Sequence, residues 1–569
     1  MFSNTTTFLH ALPRRCPRAL ALGCTVVLAS AVTIGCGGSG PMAPDPAGAT
    51  VTVLAQGGPL HGSNGIYFGP DGNLYIASVV SSQILAIDPE SGATVASYGP
   101  EEGVNGPDDL TFDADGAMYW TDIAGGEIGK RTADGVTSIV GAPGPGANPI
   151  TFSDDGRLFI SQCFLGTHLF EIDPNGVEEP RLINDELGPG CGLNGMDWGP
   201  DDKLYGPRWF NAEVARVDVD SGEAEIVATD FGIPAAVKFD SQGRLHVLDT
   251  LRGEVVRIDL DSGDREVVGR PGVGLDNLAL DADDRIFVSS FMNGSIVEVT
   301  GPDTTRDVLP SHVNSPGGLA ITPSGRLFLG DGGALRELDP VTGENLYSAG
   351  TMVTDVGRVA SVQPYGDNLV LSGAGPAPGT SMITIWNPDA NEVVARFEGF
   401  QQAVDALAVG DDIILTEYGT GSVLRFNTAA PDDRETIASG LEAAAGVAAH
   451  GSDVYVTDRS GSVLQALDDG EPLASPRQVA SGLAGPEGIA VAADGGLFVV
   501  EVEADRVSWV NPESGDTVVV AEGLALSGPE RRALGPSTTI GELSGIAVGA
   551  DGALYVSAYR DNRVYRIEL

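Results

Sequence analysis

Gly65-Ile66-Tyr67-Phe68-Gly69-Pro70-Asp71-Gly72-Asn73-Leu74-Tyr75-Ile76-Ala77-Ser78, followed by Gln83-Ile84-Leu85-Ala86-Ile87-Asp88-Pro89-Glu90-Ser91-Gly92, is the stretch that decides the fold. Its apolar runs, such as Leu74–Ala77, are too short for helices. Asp71-Gly72 supplies the positive φ that a tight hairpin needs. A second turn, Pro89-Glu90-Ser91-Gly92, separates a third run from a fourth. Two hairpins make four antiparallel strands, A to D.

The same unit recurs along the chain. With Ile66 as anchor, the equivalents read as Leu110, Ile150, Met196, Val237, Leu278, Leu319, Ala360, Leu407, Val447, Ile489 and Ile546. The mean interval is about 44 residues, the length of a four-stranded propeller blade. The first turn returns as Asp115-Gly116, Asp155-Gly156, Asp494-Gly495 and Asp551-Gly552, the second as Ser221-Gly222, Ser262-Gly263 and Ser514-Gly515. Twelve blades in one ring would leave a wide hole, so the expected all-β fold is two tandem six-bladed β-propellers, with one twelve-bladed ring as the alternative.

The phase of the repeat predicts how the rings close. The chain ends on a third strand, Arg563–Leu569, and an orphan strand, Thr50–Ala55, precedes the first blade. Thr50–Ala55 is expected to close ring one beside Ser295–Val299, and Thr304–Leu309 to close ring two beside Arg563–Leu569. In a single large ring Thr50–Ala55 would pair with Arg563–Leu569 instead. The expected organisation is a signal segment at 1–36, a flexible linker at 37–49, and propellers at 50–302 and 303–569. Glu522–Glu542 reads as an inserted surface loop.

Of 569 residues, 32 are Lys or Arg and 79 Asp or Glu, a formal net charge of −47. Clustered basic residues, which phosphate binding requires, are missing, so nucleic acid is excluded as a partner. With 42% hydrophobic residues the chain can build a core, unlike a disordered acidic chain. Arg14, Arg15 and Arg18 precede an uncharged apolar stretch, Ala19–Ile34, short for a membrane span and suited to a signal peptide. Thr33-Ile34-Gly35-Cys36, before Gly37-Gly38-Ser39-Gly40, resembles a bacterial lipobox, which implies lipidation at Cys36 and a place outside the cytoplasm, in the bacterial cell envelope. The membrane would be met only through that anchor.

The repeats resemble the six-bladed propeller superfamily of NHL repeats and the senescence-marker/gluconolactonase proteins. The sharpest match is Asn194-Gly195-Met196-Asp197-Trp198, similar to the segment carrying a metal-ligand Asn in the gluconolactonase family. That resemblance implies a Ca or Mg ion and hydrolysis of a lactone or ester. The sequence departs from the pattern: Asn64 stands where the family's first-blade Glu falls, and Ala235 where an Asp ligand is expected. Hard cations need carboxylate charge as well as neutral oxygen.

In a propeller the start of strand A and the end of strand B lie on one face and line a funnel. In ring one these positions include Asn64, Asp108, Asn148, Asn194, Ala235 and Asp276, with Asp122, Cys163, Arg208, Asp249 and Ser290 at the strand-B ends. Asn148, Asn194, Asp249 and Asp276 form the candidate metal set, and Asn64, Asp108, Asp122 and Arg208 a candidate polar binding funnel. In ring two the funnel reads as acidic: Asp331, Arg358, Asp405, Glu417, Asp458, Glu487 and Glu501. The plainer reading is that Asn and Asp cap the strands by local hydrogen bonds. Cys163 and Cys191 fall on one face of adjacent blades and are expected to form a disulfide in an oxidising compartment. The leading expectation is an exported, lipid-anchored binder of a protein or small polar ligand, with no catalysis. The alternative is a divalent-cation-dependent lactonase or esterase in ring one.

Overall fold

The computed structural model describes residues 41–45, 48–351, 353–375, 379–526 and 543–569. The signal segment, Cys36 and most of the Glu522–Glu542 insertion lie outside the described residues. Among the described residues, twelve four-stranded antiparallel sheets account for every sheet, and no helix is long and apolar enough to cross a membrane.

The first blade shows why the repeat folds as it does. Strands Ile66–Phe68, Leu74–Ser78 and Gln83–Ile87 pair in sequence order, and Thr94–Tyr98 completes the edge. Gly72 and Gly92, at the two turns, take φ of 79° and 68°, which a Cβ would strain. Strand B is buried along its whole length, as Leu74–Ser78 illustrates, because a neighbouring blade covers each face. Strand D is largely exposed, as at Thr94–Tyr98.

Among the described residues, a side-chain staple marks six of the twelve steps around the rings. A strand-B hydroxyl donates to the carbonyl at the start of strand A in the next blade: Thr121 to Asn148 at 2.7 Å, Ser372 to Val404 at 2.6 Å, Thr457 to Glu487 at 2.5 Å. The same bond runs from Ser289 of blade six back to Asn64 of blade one, and from Ser557 of blade twelve back to Gly317 of blade seven, each at 2.5 Å. Apolar cores follow. Ile66, Leu74, Phe287 and Ile296 pack between blades six and one, and Leu319, Leu329, Ala547 and Tyr555 between blades twelve and seven. The protein is therefore two six-bladed propellers in tandem.

The closing strands are exchanged relative to the sequence expectation. Thr50–Gln56 pairs with Arg563–Glu568 in blade twelve, and Thr304–Leu309 pairs with Ile296–Gly301 in blade six. The first pairing was the expected mark of a single twelve-bladed ring, yet it occurs beside two rings of six. The physical reason is local. Gly301 pairs with Thr304 across a tight turn, so strand D of blade six forms as every other C–D hairpin does. Thr50–Gln56 then has one open edge left to cover, in ring two. The chain thus starts in ring two, crosses to ring one at residues 57–65, and returns at 310–315.

The linker expected to be free is partly docked. Met42 N–H donates to Asp494 at 3.2 Å and Asn511 to the Pro41 carbonyl at 3.2 Å, and Ala43 packs on the core of blades eleven and twelve.

Candidate functional site: the axial mouth of ring one

Strand A begins with a bulge. Pairing with strand B breaks between Pro107 and Leu110, between Ala147 and Ile150, and between Leu275 and Leu278. Bulges re-aim side chains, and here they turn one residue per blade to the axis. Around ring one that position holds Asn64, Asp108, Asn148, Asn194, Ala235 and Asp276, as the sequence suggests. Asn64, Asp108, Asn148 and Asn194 are only 5–7% exposed.

Asp276, Asn64 and Asp108 come from consecutive blades and form one arc. The Asn64 amide donates to Asp108 at 3.5 Å and bonds to Asp276 as well. Burial raises the Asp108 carboxyl well above its usual range, and repulsion by Asp276 and Asp109 adds to it. Asp276 is pushed up to about 7, again by burial first and Asp109 second. Among the described residues no basic side chain pairs with either carboxyl. Farther round the ring the Asn148 side chain makes no hydrogen bond among the described residues, and Asn194 uses only its oxygen there, which accepts from Gly195 N–H at 3.0 Å.

Below this arc lies a second polar layer that sequence reasoning missed. Asp109 accepts from Leu110 and Ile150 N–H, and Asn277 donates to it at 3.4 Å. Lys238 is buried beneath, donating to the Met196 carbonyl at 2.9 Å, 3.8 Å from Asp197 and 5.7 Å from the centre of the Tyr67 ring. Asp109 titrates near 6: burial raises it and Lys238 pulls it back. The lysine's charge is spent on this lower layer, and the upper arc keeps none of it. The available signal was Lys238 itself, an isolated cation one residue past an anchor.

The other predicted residues of ring one do not join the axis. Asp249 accepts from Gly232, Ile233 and Arg252 N–H at 2.6, 3.0 and 3.1 Å, so the four-residue metal set does not assemble. Asp122 accepts from Ala124 and Gly125 N–H, and Arg208 pairs with Glu213 at 2.6 Å. Among the described residues no three His, Cys, Asp or Glu side chains form a metal-holding group. Cys163 and Cys191 are joined in a disulfide at the rim between blades three and four.

Ring two corrects the expectation of an acidic funnel. Its axial positions are Gly317, Ala360, Val404, Ala445, Glu487 and Ser544, and Val404, Ala445 and Leu543 close into an apolar plug. Arg358 lies two residues before the axial position of its blade and is exposed. Asp405 lies one residue past it, bonded to Ala406 and Val447 N–H and to Ser361. Glu487 pairs with Arg459 at 3.2 Å and accepts from Ser544 N–H at 2.6 Å. Asp331, Glu417, Asp458 and Glu501 each accept backbone N–H groups from the loop entering their own blade: Asn314 and Ser315, Gln401, Glu442 and Ala443, and Ala484 respectively. They are latches that satisfy buried loop amides. The far end of this axis opens as a cavity of about 270 Å³, lined by Ile321, Leu407, Ala449, Val491 and Val548 among others.

No protein-family profile matches the chain. Gluconolactonase of Zymomonas mobilis subsp. mobilis is 26% identical over 144 residues, which cover 21% of this chain and 40% of that protein. The match therefore spans less than half the length of that relative. Among solved structures, virginiamycin B lyase from Staphylococcus aureus is 17% identical with a TM-score of 0.37, covering 49% of this chain and 95% of that one. A gluconolactonase from Xanthomonas campestris is 17% identical with a TM-score of 0.36, covering 46% and 90%.

Proposed function

We propose that this is a binding protein of the cell envelope, anchored through Cys36, whose ligand site is the axial mouth of ring one and which performs no catalysis. The observation that carries the reading is the arc Asp276-Asn64-Asp108: two carboxyls held together on the axis with no basic partner among the described residues, beside the Asn148 amide and the Asn194 amide nitrogen, which have none there either. Such groups are costly to bury without a partner, and a bound polar or cationic group offsets that cost. Incorporation of labelled palmitate, lost in Cys36→Ser, tests the anchor.

The stretch of identity with gluconolactonase favours a second reading, a cation-dependent hydrolase. A divalent ion would have to sit on Asp108 and Asp276 with amide oxygens, because Asp249 is engaged and Ala235 offers a methyl group. Purified protein is expected to give no hydrolysis above background across a panel of lactones, with calcium, magnesium or chelator. Chelator-sensitive turnover abolished in Asp108→Asn would replace the binding reading with the hydrolase.

The arc also predicts a pH dependence. A carboxyl whose folded pKa is raised binds more protons in the folded than in the unfolded state, so its contribution falls as pH rises from about 4 to about 7 and stays low above that. Asp276→Asn is therefore expected to stabilise the ligand-free protein at pH 8, on the order of a few kcal/mol, and to change little at pH 4. Thermal melts at the two pH values check it; equal shifts at both would show that the carboxyl carries no electrostatic penalty.

A further inference from the structure

The mouth of ring one is two-sided. Opposite the acidic arc, the axial position of blade five is Ala235, and it belongs to one apolar cluster with Cys163, Cys191 and Trp209. Above that cluster Phe164, Leu165 and Phe210 are 48%, 65% and 56% exposed. Such a group of large apolar side chains is unusual on a surface otherwise dominated by acids. Its parts are fixed in place. Phe164 packs edge-on against Trp209 at 5.6 Å and lies 6.1 Å from Phe210, and its N–H donates to the Gly190 carbonyl at 2.7 Å. Phe164 also holds φ of 63°, a conformation a bulky side chain adopts only when its surroundings impose it. Its chain neighbour Cys163 is tied to Cys191 by the disulfide.

Resting on the binding reading above, we propose that ring one takes an organic cation with an apolar body, an alkyl- or arylamine. The ammonium group lies between Asp108 and Asp276, donating to both carboxylates, and the hydrocarbon lies against Phe164, Leu165 and Phe210. Three features select this chemistry over others. The two acids lack a positive partner, and an ammonium group supplies both charge and three donors. Asn148 and Asn194 are more than nine-tenths buried at the same register position; the Asn148 side chain and the Asn194 nitrogen have no partner among the described residues and serve a polar group on the ligand. A bare metal ion would leave the aromatic side of the mouth unused, whereas aromatic faces attract organic cations as well as hydrocarbon. A neutral sugar would use the rings and amides but leave the repulsion between the acids.

Calorimetric titration of the full chain tests this with 2-phenylethylamine, 2-phenylethanol, calcium chloride and glucose as probes. The amine is expected to bind at least tenfold more tightly than the alcohol. Asp276→Asn should weaken the amine tenfold or more. Phe210→Ala, an exposed position that leaves the core intact, should weaken 2-phenylethylamine severalfold and leave methylamine unchanged. Binding of calcium or glucose that Asp276→Asn abolishes, with amines inert, overturns the amine inference and leaves the mouth a binding site. Failure of every probe to bind, or binding indifferent to Asp276→Asn, overturns both.

Discussion

A chain beginning at Gly57, compared with one beginning at Gly48, is expected to lose the closure of ring two while ring one stays folded. Thr50–Gln56 is the outer strand of blade twelve, with six residues in register against Arg563–Glu568. It also brings Leu54 and Ala55 into the core between blades twelve and seven. Removing it leaves the strand edge of Arg563–Glu568 unpaired and strips one wall from that core. At about 1 kcal/mol per backbone hydrogen bond, with the apolar loss added, the cost is on the order of 5 kcal/mol. For a unit of this size that corresponds to a fall of roughly 10–20 °C in its melting temperature.

Ring one draws all its strands from the continuous run 66–309, so the deletion takes nothing from its sheets. Limited proteolysis distinguishes the two outcomes: early cuts should fall in blades seven, eleven and twelve, and a fragment covering ring one should persist. Tryptophan fluorescence offers a second readout, because Trp386 and Trp509 report ring two and Trp120, Trp198 and Trp209 ring one. A synthetic peptide of residues 50–56 should restore part of the loss. If ring one is cleaved first, closure by exchange is not what holds ring two.

The repeat, the hairpin turns and the axial positions of ring one were legible because each rests on chemistry that side chains advertise: Asp-Gly at positive φ, and short apolar runs. The register of ring two was less so. In blade eight the true anchor is Val362, paired with Leu371, two residues past Ala360. A shift of two keeps every side chain on the same face, so alternation gives no warning of it. In blade nine the strand Ala403–Val409 is buried on both faces as far as Leu407, and Ala406 rather than Leu407 is the anchor. These slips put Arg358 and Asp405 at axial positions that Ala360 and Val404 hold. The strand-B acids raised a different difficulty. Their backbone positions lie near the mouth, but their side chains turn to their own loops, because buried N–H groups there have no other acceptor. Pattern reading locates a Cβ; it does not show which way a carboxylate will turn.

Arg336→Met is expected to destabilise the protein by about 4 kcal/mol and to uncouple the rings. Arg336 and Asp331 form an ion pair that is 2% and 0% exposed. Removing one partner from such a pair leaves a buried charge uncompensated, at a cost of about 3–5 kcal/mol. The arginine reaches farther than its partner. It donates to the Met292 carbonyl of ring one at 2.8 Å, and Met292 in turn covers Gly350 of ring two so closely that a Cβ there would fall 2.0 Å from its sulfur. Asp331 meanwhile accepts N–H from Asn314 and Ser315, in the segment where the chain crosses between rings. One ion pair therefore joins blade seven, the crossing and ring one. Calorimetry of the variant should resolve two thermal transitions where the native protein shows closer coupling, with the ring-two transition lowered by about 10 °C. The double variant Asp331→Asn/Arg336→Met should recover part of the stability, since no charge is then stranded, but not the coupling, since the bond to Met292 is still missing. Full recovery of both in the double variant would mean that the arginine acts only as a counter-charge and that other contacts hold the rings together.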